Sequence, residues 1–257
     1  MKGKNIIITG STGIGAAFAR LAAGAGAHLV VATGDEQSGW ELGEETAAEV
    51  WSGDLTRPTA AESVVAQCLA TYGRVDALFN ASGFSGRRFG DGPAHECTDE
   101  GWDFTLAQNL DVMFRMCRAA IGRMLQQEPG ENGVRGAILN MGSVLVEAPE
   151  PRHFATHAYA AAKGAVASMS RSMAAYYAPQ RIRINTLVPG LVRTPASEPM
   201  ENNPELLEFV GKKQPLTSGL VDADDVARAA LFLLGDDARS ITGAVLTVDA
   251  GWSVTGV

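Results

Sequence analysis

The chain is expected to fold as one α/β domain, 1–257, built on a doubly wound parallel sheet of about seven strands flanked by helices. Three observations predict it. Short, continuously apolar, β-branched runs such as Asn5-Ile6-Ile7-Ile8-Thr9 recur along the chain, as strands buried on both faces require. They alternate with stretches long enough to cross back as helices, and such alternation gives parallel neighbours. The first run leads straight into Gly10-Ser11-Thr12-Gly13-Ile14-Gly15 and a helical pattern from Ala16 to Ala25, the arrangement that points backbone N–H groups at a pyrophosphate.

After that first unit, His28-Leu29-Val30-Val31-Ala32 reads as the second strand, with Thr33-Gly34-Asp35-Glu36 where such folds meet an adenosine ribose. Ala48 to Trp51 is a third strand leading to Asp54-Leu55, and Pro58 opens a helix to about Tyr72. Val75 to Phe79 is the fourth strand, ending in Asn80-Ala81-Ser82-Gly83, and the Gly-, Arg- and acid-rich stretch 84–101 reads as loop. A long helix follows to Gln127 and carries Asn109 among Leu106, Leu110, Met113 and Met116. Ala137 to Met141 is the fifth strand and delivers Gly142-Ser143 at its C-terminal end. A loop over 144–156 precedes a helix to Tyr177, and Arg183 to Val188 is a sixth strand stopped by Pro189-Gly190. Residues 191–218, with four prolines and a short helical segment at Glu205 to Val210, read as a lid. Asp222 is placed to cap a helix through Leu234, and Gly243 to Val248 is the seventh strand.

Composition excludes several classes. A net charge of −8 argues against nucleic acid or an anionic membrane as partner, and no apolar run has the length of a membrane span. Neither a secretory signal nor an anchor is read, so the expected location is the cytoplasm. Cys68, Cys97 and Cys117 are odd in number and widely spaced, without a metal-ligand pattern, and no metal site is expected.

The residues with chemistry to offer are Tyr159 and Lys163. Ala160, Ala161 and Ala162 between them favour a helix, and an i, i+4 pair on a helix shares one face. A cation beside a phenol favours the phenolate, so the pair is a candidate acid/base for a hydroxyl or carbonyl substrate. The five-residue pattern alone fits an ordinary helix equally well. The chain, however, has 16 Arg and 5 Lys, and Lys163 is the only lysine between positions 5 and 211. An amine can share a proton relay where a guanidinium stays charged.

Over its whole length the chain resembles the short-chain dehydrogenase/reductase family. The signals that carry the resemblance occur in the family's order: the Gly-rich turn, Asp54 after the third strand, Asn80-Ala81-Ser82-Gly83, Asn109, Ser143, Tyr159-x-x-x-Lys163, and Pro189-Gly190-x-Val192-x-Thr194. The resemblance implies a Rossmann-type fold and an NAD(P)-dependent oxidoreductase that moves a hydride between a nicotinamide cofactor and a secondary alcohol or ketone. It implies Tyr159 as general acid/base, Lys163 as the cation that tunes it and holds the nicotinamide ribose, Ser143 as substrate-oxygen partner and Asn109 as anchor of a solvent chain. For the cofactor it implies Gly10, Ser11, Thr12, Gly13, Ile14 and Gly15 at the pyrophosphate side and Thr33 at the ribose. Asp54 and Leu55 would meet the adenine, Asn80, Ala81 and Ser82 the adenosine side, and Pro189, Gly190, Val192 and Thr194 the carboxamide wall.

This sequence departs from the family in two places. One residue is missing between Gly10 and Gly13, and Ser143 to Tyr159 spans 16 positions, a longer loop than usual. That loop offers His153, Phe154 and His157 as candidate substrate contacts. Thr33 stands where NAD-binding members carry Asp, but Asp35 and Glu36 would repel a 2′-phosphate, so the balance favours NAD over NADP. A 3-oxoacyl-thioester reductase and a non-catalytic NAD(P)-binding regulator are the alternatives. The resemblance also implies a homotetramer, with the final strand at a subunit interface.

Overall fold

The apolar runs form strands β1 (Asn5–Thr9), β2 (His28–Thr33), β3 (Glu49–Ser52), β4 (Ala77–Asn80), β5 (Gly136–Met141) and β6 (Ile182–Pro189). Two short strands, β7 (Val192–Arg193) and β8 (Val221–Asp222), pair only with each other before β9 (Val245–Val248) rejoins the main sheet. The structure is a computed structural model and describes residues 1–256; Val257, the last residue of the expected domain, lies outside them. The large sheet has the order β3-β2-β1-β4-β5-β6-β9 and is parallel throughout. Its order reverses between β1 and β4. Sheets of this kind bind ligands beyond the carboxyl ends of the strands at that reversal.

Helices α1 (Gly13–Gly24), α2 (Glu36–Thr46), α3 (Ala60–Tyr72), α4 (Asp99–Leu106), α5 (Val112–Met124), α6 (His157–Tyr177), α7 (Glu198–Glu201), α8 (Pro204–Lys213) and α9 (Ala223–Leu234) cover the two faces and the top. Strands buried on both faces need two cores. One lies under α1 and α9 around Phe18 and Phe79, and the other under α3, α5 and α6 around Met116, Cys117 and Met124. None of the described helices is long and apolar enough to cross a membrane.

Three differences from the sequence-based expectation have physical causes. Helix α2 was not expected, because its sequence is acidic and carries Gly39 and Gly43. Those glycines are its packing face: a Cβ on Gly39 would sit 2.5 Å from Thr33 Cγ2, and one on Gly43 2.6 Å from Val50 Cγ2. The long helix is continuous but widens into a π-helical segment, Ala107–Asp111, centred on Asn109. Single-turn π segments of this kind recur at functional sites. Residues 191–218 contain α7 and α8, and Leu206 and Val210 join Val144, Val188, Leu220 and the fully buried Trp252 in a third apolar cluster. The root of this segment is pinned by Gln214, which is buried and exchanges hydrogen bonds with both backbone atoms of Leu191. At α9 the N-cap residue is Asp222 as expected, yet its carboxylate makes no cap bond and lies 3.7 Å from Arg193.

Candidate active site

The strand ends open into one cleft of about 1200 Å³ that runs from Asp35 and Asp54 at one end to Tyr159, Phe154 and Met200 at the other. The Gly-rich turn forms its floor. Gly10 and Gly13 take left-handed φ values of 94° and 53°, which glycine adopts at no steric cost. A Cβ on Gly15 would lie 2.4 Å from the Gly10 carbonyl oxygen, so the third glycine lets α1 close onto its own turn. Thr12 precedes α1 without a side-chain cap bond, leaving the first-turn N–H groups facing the cleft. Ser11, Thr12, Gly13 and Ile14 all line it, whereas Gly15 stays behind it. The turn therefore closes with one residue fewer.

At the adenosine end, the hydroxyls of Ser11 and Thr33 are buried and bonded to each other at 2.7 Å, and Ser11 also bonds Ser38 at 2.6 Å. Thr33 accepts from Asp35 N as well. Its hydroxyl is thus engaged within the protein, and the exposed charged group on that wall is the Asp35 carboxylate. Asp54 accepts from both the hydroxyl and the backbone of Thr56, which hold its carboxyl below the usual range, and it lines the cleft beside Leu55. Ala81 and Ser82 line the middle, where the Ser82 hydroxyl donates to Thr9 Oγ1 at 2.9 Å. Asn80 lies behind them. Its amide donates to Asn140 Oδ1 at 2.8 Å and joins β4 to β5 inside the sheet. Pro189, Gly190, Val192 and Thr194 form the opposite wall. A Cβ on Gly13 would fall 2.8 Å from Thr194 Cγ2, so this wall meets the turn directly.

Ser143, Tyr159 and Lys163 converge at the far end. Ser143 follows β5, and its hydroxyl accepts from Leu145 N at 3.3 Å and lies close enough to the Tyr159 phenol to draw its proton affinity down. Lys163 lies one turn along α6, only 3 % exposed, with Nζ 5.6 Å from the Tyr159 ring centre and donating to the Met141 carbonyl at 3.1 Å. Burial pushes its ammonium down to about 8. Burial also raises the Tyr159 phenol, and the Ser143 hydroxyl pulls it part of the way back. Burial and Ser143 account for this shift, and the expected lowering of the phenol by Lys163 does not contribute to it. Asn109 is buried in the π segment, where its amide donates to the carbonyls of Phe84 and Thr105 at 2.9 Å each. Its Oδ1 has no partner among the described residues. That oxygen and Lys163 Nζ crowd the same side of Gly83, 2.6 and 3.0 Å from where a Cβ would stand.

Of the loop residues, Phe154 lines the cleft, while His153 packs on the Phe209 ring and His157 opens α6 with its side chain exposed. One residue of the site was not anticipated. Thr156, the N-cap of α6, makes no side-chain cap bond, its hydroxyl donating back to the Phe154 carbonyl, and the first turn of that helix carries no acid. The buried Asp91 carboxylate supplies the cap from another loop, accepting from the N–H groups of Ala158 and Tyr159 at 3.0 Å each. Its setting between Gly90 and Gly92 gave no periodic or local signal for that role.

Residues 8–253 match the model of a protein family described as enoyl-(acyl carrier protein) reductase. A D-threitol dehydrogenase of Mycolicibacterium smegmatis is 32% identical over 99% of this chain and 94% of its own. A galactitol 2-dehydrogenase (L-tagatose-forming) of Cereibacter sphaeroides is 34% identical over 96% of this chain and 94% of its own. Among solved structures, a short-chain type dehydrogenase/reductase from Mycobacterium ulcerans superposes with a TM-score of 0.90 over 99% of this chain and 91% of the other, at 23% identity, which speaks for the fold. With the fold, the cleft and these matches in agreement, the chain belongs to the short-chain dehydrogenase/reductase family and is an NAD(P)-dependent oxidoreductase that transfers a hydride between a nicotinamide cofactor and a secondary alcohol or ketone.

Proposed function

We propose that Tyr159 is the general acid/base of this reaction, that Ser143 holds the substrate oxygen beside it, and that Lys163 and Asn109 relay the proton. The observation that carries this reading is the convergence of a buried amine, a partnerless amide oxygen, a phenol and a hydroxyl at one end of a dinucleotide-sized cleft. The nicotinamide, when bound, takes or supplies the hydride. Everything else is done by the chain. In ketone reduction the Tyr159 phenol donates its proton to the developing alkoxide, which Ser143 stabilises by a hydrogen bond. Lys163, held near 8, exchanges a proton close to neutral pH and restores the phenol, with Asn109 Oδ1 anchoring solvent on the outer side. The raised phenol is protonated at neutral pH, so the resting site is set for reduction, and oxidation demands a higher pH or added positive charge.

NAD is the preferred cofactor. Asp35 stands on the cleft wall beside the engaged Thr33 hydroxyl, where a carboxylate suits a ribose diol and opposes a 2′-phosphate. Gly10 to Ile14 hold the pyrophosphate, Asp54 and Leu55 the adenine, and Val192 with Thr194 the carboxamide. Residues 191–218 act as a lid hinged on the Gln214 anchor. The assembly is a homotetramer in which the open edge of β9, only partly buried in the single chain, meets a second copy. The free thiols Cys68, Cys97 and Cys117 suit a cytoplasmic setting.

Fluorescence titration with NADH and NADPH tests the cofactor. NADH is expected to bind at least tenfold more tightly, and Asp35→Ser to narrow that preference; equal binding in both proteins would remove Asp35 from the argument. In the same assay Tyr159→Phe is expected to keep NADH affinity within threefold while turnover of a secondary-alcohol panel falls at least a hundredfold. Turnover within tenfold of the parent would displace Tyr159 from its role.

A further inference from the structure

The substrate end of the cleft has a one-sided charge distribution. Among the described residues the charged ones lining the cleft are Asp35, Asp54, Arg87, Arg88 and Lys163, and both carboxylates belong to the adenosine end. Away from Asp35 and Asp54 the lining includes Phe84, Phe89, Phe154 and Met200, with two guanidiniums and no acid among the described residues. In a chain of net charge −8 this is a positive spot against the general field. Arg87 spends one donor on the His153 carbonyl at 2.8 Å, and Arg88 has no hydrogen-bond or ion-pair partner among the described residues.

Exposed arginines are ordinarily solvated, but these two sit on an arm that is locked to the catalytic helix. Asp91 bonds the N–H of Tyr159 itself, and the His157 N–H donates to the Gly92 carbonyl at 3.1 Å. Phe89 stacks on Phe104 at 3.9 Å between ring centres. A Cβ on Gly86 would lie 1.7 Å from Thr105 Oγ1, so the arm lies flat on α4. The backbone that carries the two arginines therefore holds a fixed place relative to the acid/base, as recognition of a second point on a substrate requires.

We propose that the substrate carries a carboxylate, received by Arg88 with Arg87 beside it at the open end of the cleft, so that the enzyme interconverts hydroxy acids and oxo acids. The inference rests on the reading of this cleft as the site of hydride transfer. A guanidinium offers a carboxylate two parallel charge-assisted hydrogen bonds, and Phe84 and Phe89 cover the intervening carbons. The neutral polyols named for the relatives offer no partner for that charge.

The test compares four- to six-carbon oxo acids with their methyl esters, and the corresponding hydroxy acids with D-threitol and galactitol, following nicotinamide absorbance. Binding of 4-oxopentanoate to the protein saturated with NAD⁺ is measured in parallel by calorimetry. The expected result is at least a tenfold preference in kcat/KM for acid over ester, carried by KM and weakening with salt. Arg88→Met is expected to collapse that ratio to within threefold and to weaken 4-oxopentanoate binding at least tenfold, with Arg88→Lys intermediate. Three results overturn the inference: esters or polyols used as well as acids, acids and esters losing equally in Arg88→Met, or acids that neither turn over nor bind. In each of these cases NADH binding with turnover of a neutral substrate leaves the hydride-transfer reading standing, whereas failure of NADH to bind brings that reading down separately.

Discussion

Replacing Lys163 by Met should show what a buried amine costs this fold. The side chain is 3 % exposed and its ammonium is held near 8, against about 10.4 for a lysine in an unfolded chain. The folded protein therefore prefers the neutral amine, and between these two values the unfolded chain binds more protons. Stability contributed by this group rises with pH through that window. At pH 7 the charged amine costs the native state about 3 kcal/mol, and between pH 7 and pH 10 about 2 to 3 kcal/mol of that returns. Methionine matches the stem and removes the charge, but leaves the Met141 carbonyl without its 3.1 Å donor, a loss of about 1 kcal/mol. Lys163→Met is thus expected to be more stable than the parent at pH 7 by about 2 kcal/mol and no more stable at pH 10.

Urea unfolding of both proteins at one protein concentration, repeated at half-unit steps from pH 7 to pH 10, reads the difference directly. Other lysines and tyrosines titrate in both proteins and cancel. A difference that stays constant within about 0.5 kcal/mol across the range would mean that burial does not weaken the hold of Lys163 on its proton, and the relay built on its value near 8 would fail with it.

Other parts of the site make their own predictions. Asp91→Ala strips the cap from α6 and leaves two buried N–H groups unpaired, which should cost about 2 kcal/mol in urea unfolding; a loss under about 0.5 kcal/mol would show that solvent replaces the carboxylate. Gly13→Ala places a Cβ at φ 53° and 2.8 Å from Thr194 Cγ2, so NADH affinity should drop at least tenfold, and unchanged binding would take the pyrophosphate away from this turn. Ser143→Ala removes the hydroxyl that draws the Tyr159 phenol down, so the ascending limb of alcohol oxidation against pH should move to higher pH; a limb that stays in place would confine Ser143 to substrate positioning.

The sheet was legible because its strands are buried on both faces and so read as unbroken apolar runs: β1, β2, β5 and β6 lie within a residue or so of the runs that announced them. Tyr159, Lys163 and Ser143 were legible because a helical repeat and a strand end fix them locally. What could not be read depends on packing between distant segments. Gly39 and Gly43 look like helix breakers until Thr33 and Val50 are seen against them. Asn80 looks like a cleft residue until Asn140 is found bonded to it across β4 and β5. Asp91 and Tyr159 are 68 positions apart, and no local pattern joins a loop carboxylate to a helix that lacks its own cap.

The direction of the Tyr159 shift is the most instructive of these differences, because the sequence argument weighed the neighbouring cation and not the burial of the phenol. Placing Lys163 one turn from Tyr159 brings a cation near the phenol, but the alanine-rich helix that does so also buries Lys163 and sets Tyr159, half-buried, in the cleft lining. Burial disfavours every charged form, so it lowers the amine and raises the phenol together. The two values, nearly equal for a free tyrosine and a free lysine, therefore move apart, the amine falling to about 8 and the phenol rising. An ammonium that holds its proton less tightly than the phenol gives it up to a phenolate downhill, which is the direction a relay from solvent through Asn109 and Lys163 to Tyr159 needs in ketone reduction. A surface pair with the same spacing would keep an ordinary lysine and an ordinary tyrosine, neither of them useful near neutral pH. The burial of Lys163, as much as the spacing of the two residues, is therefore what sets the direction in which this pair passes a proton.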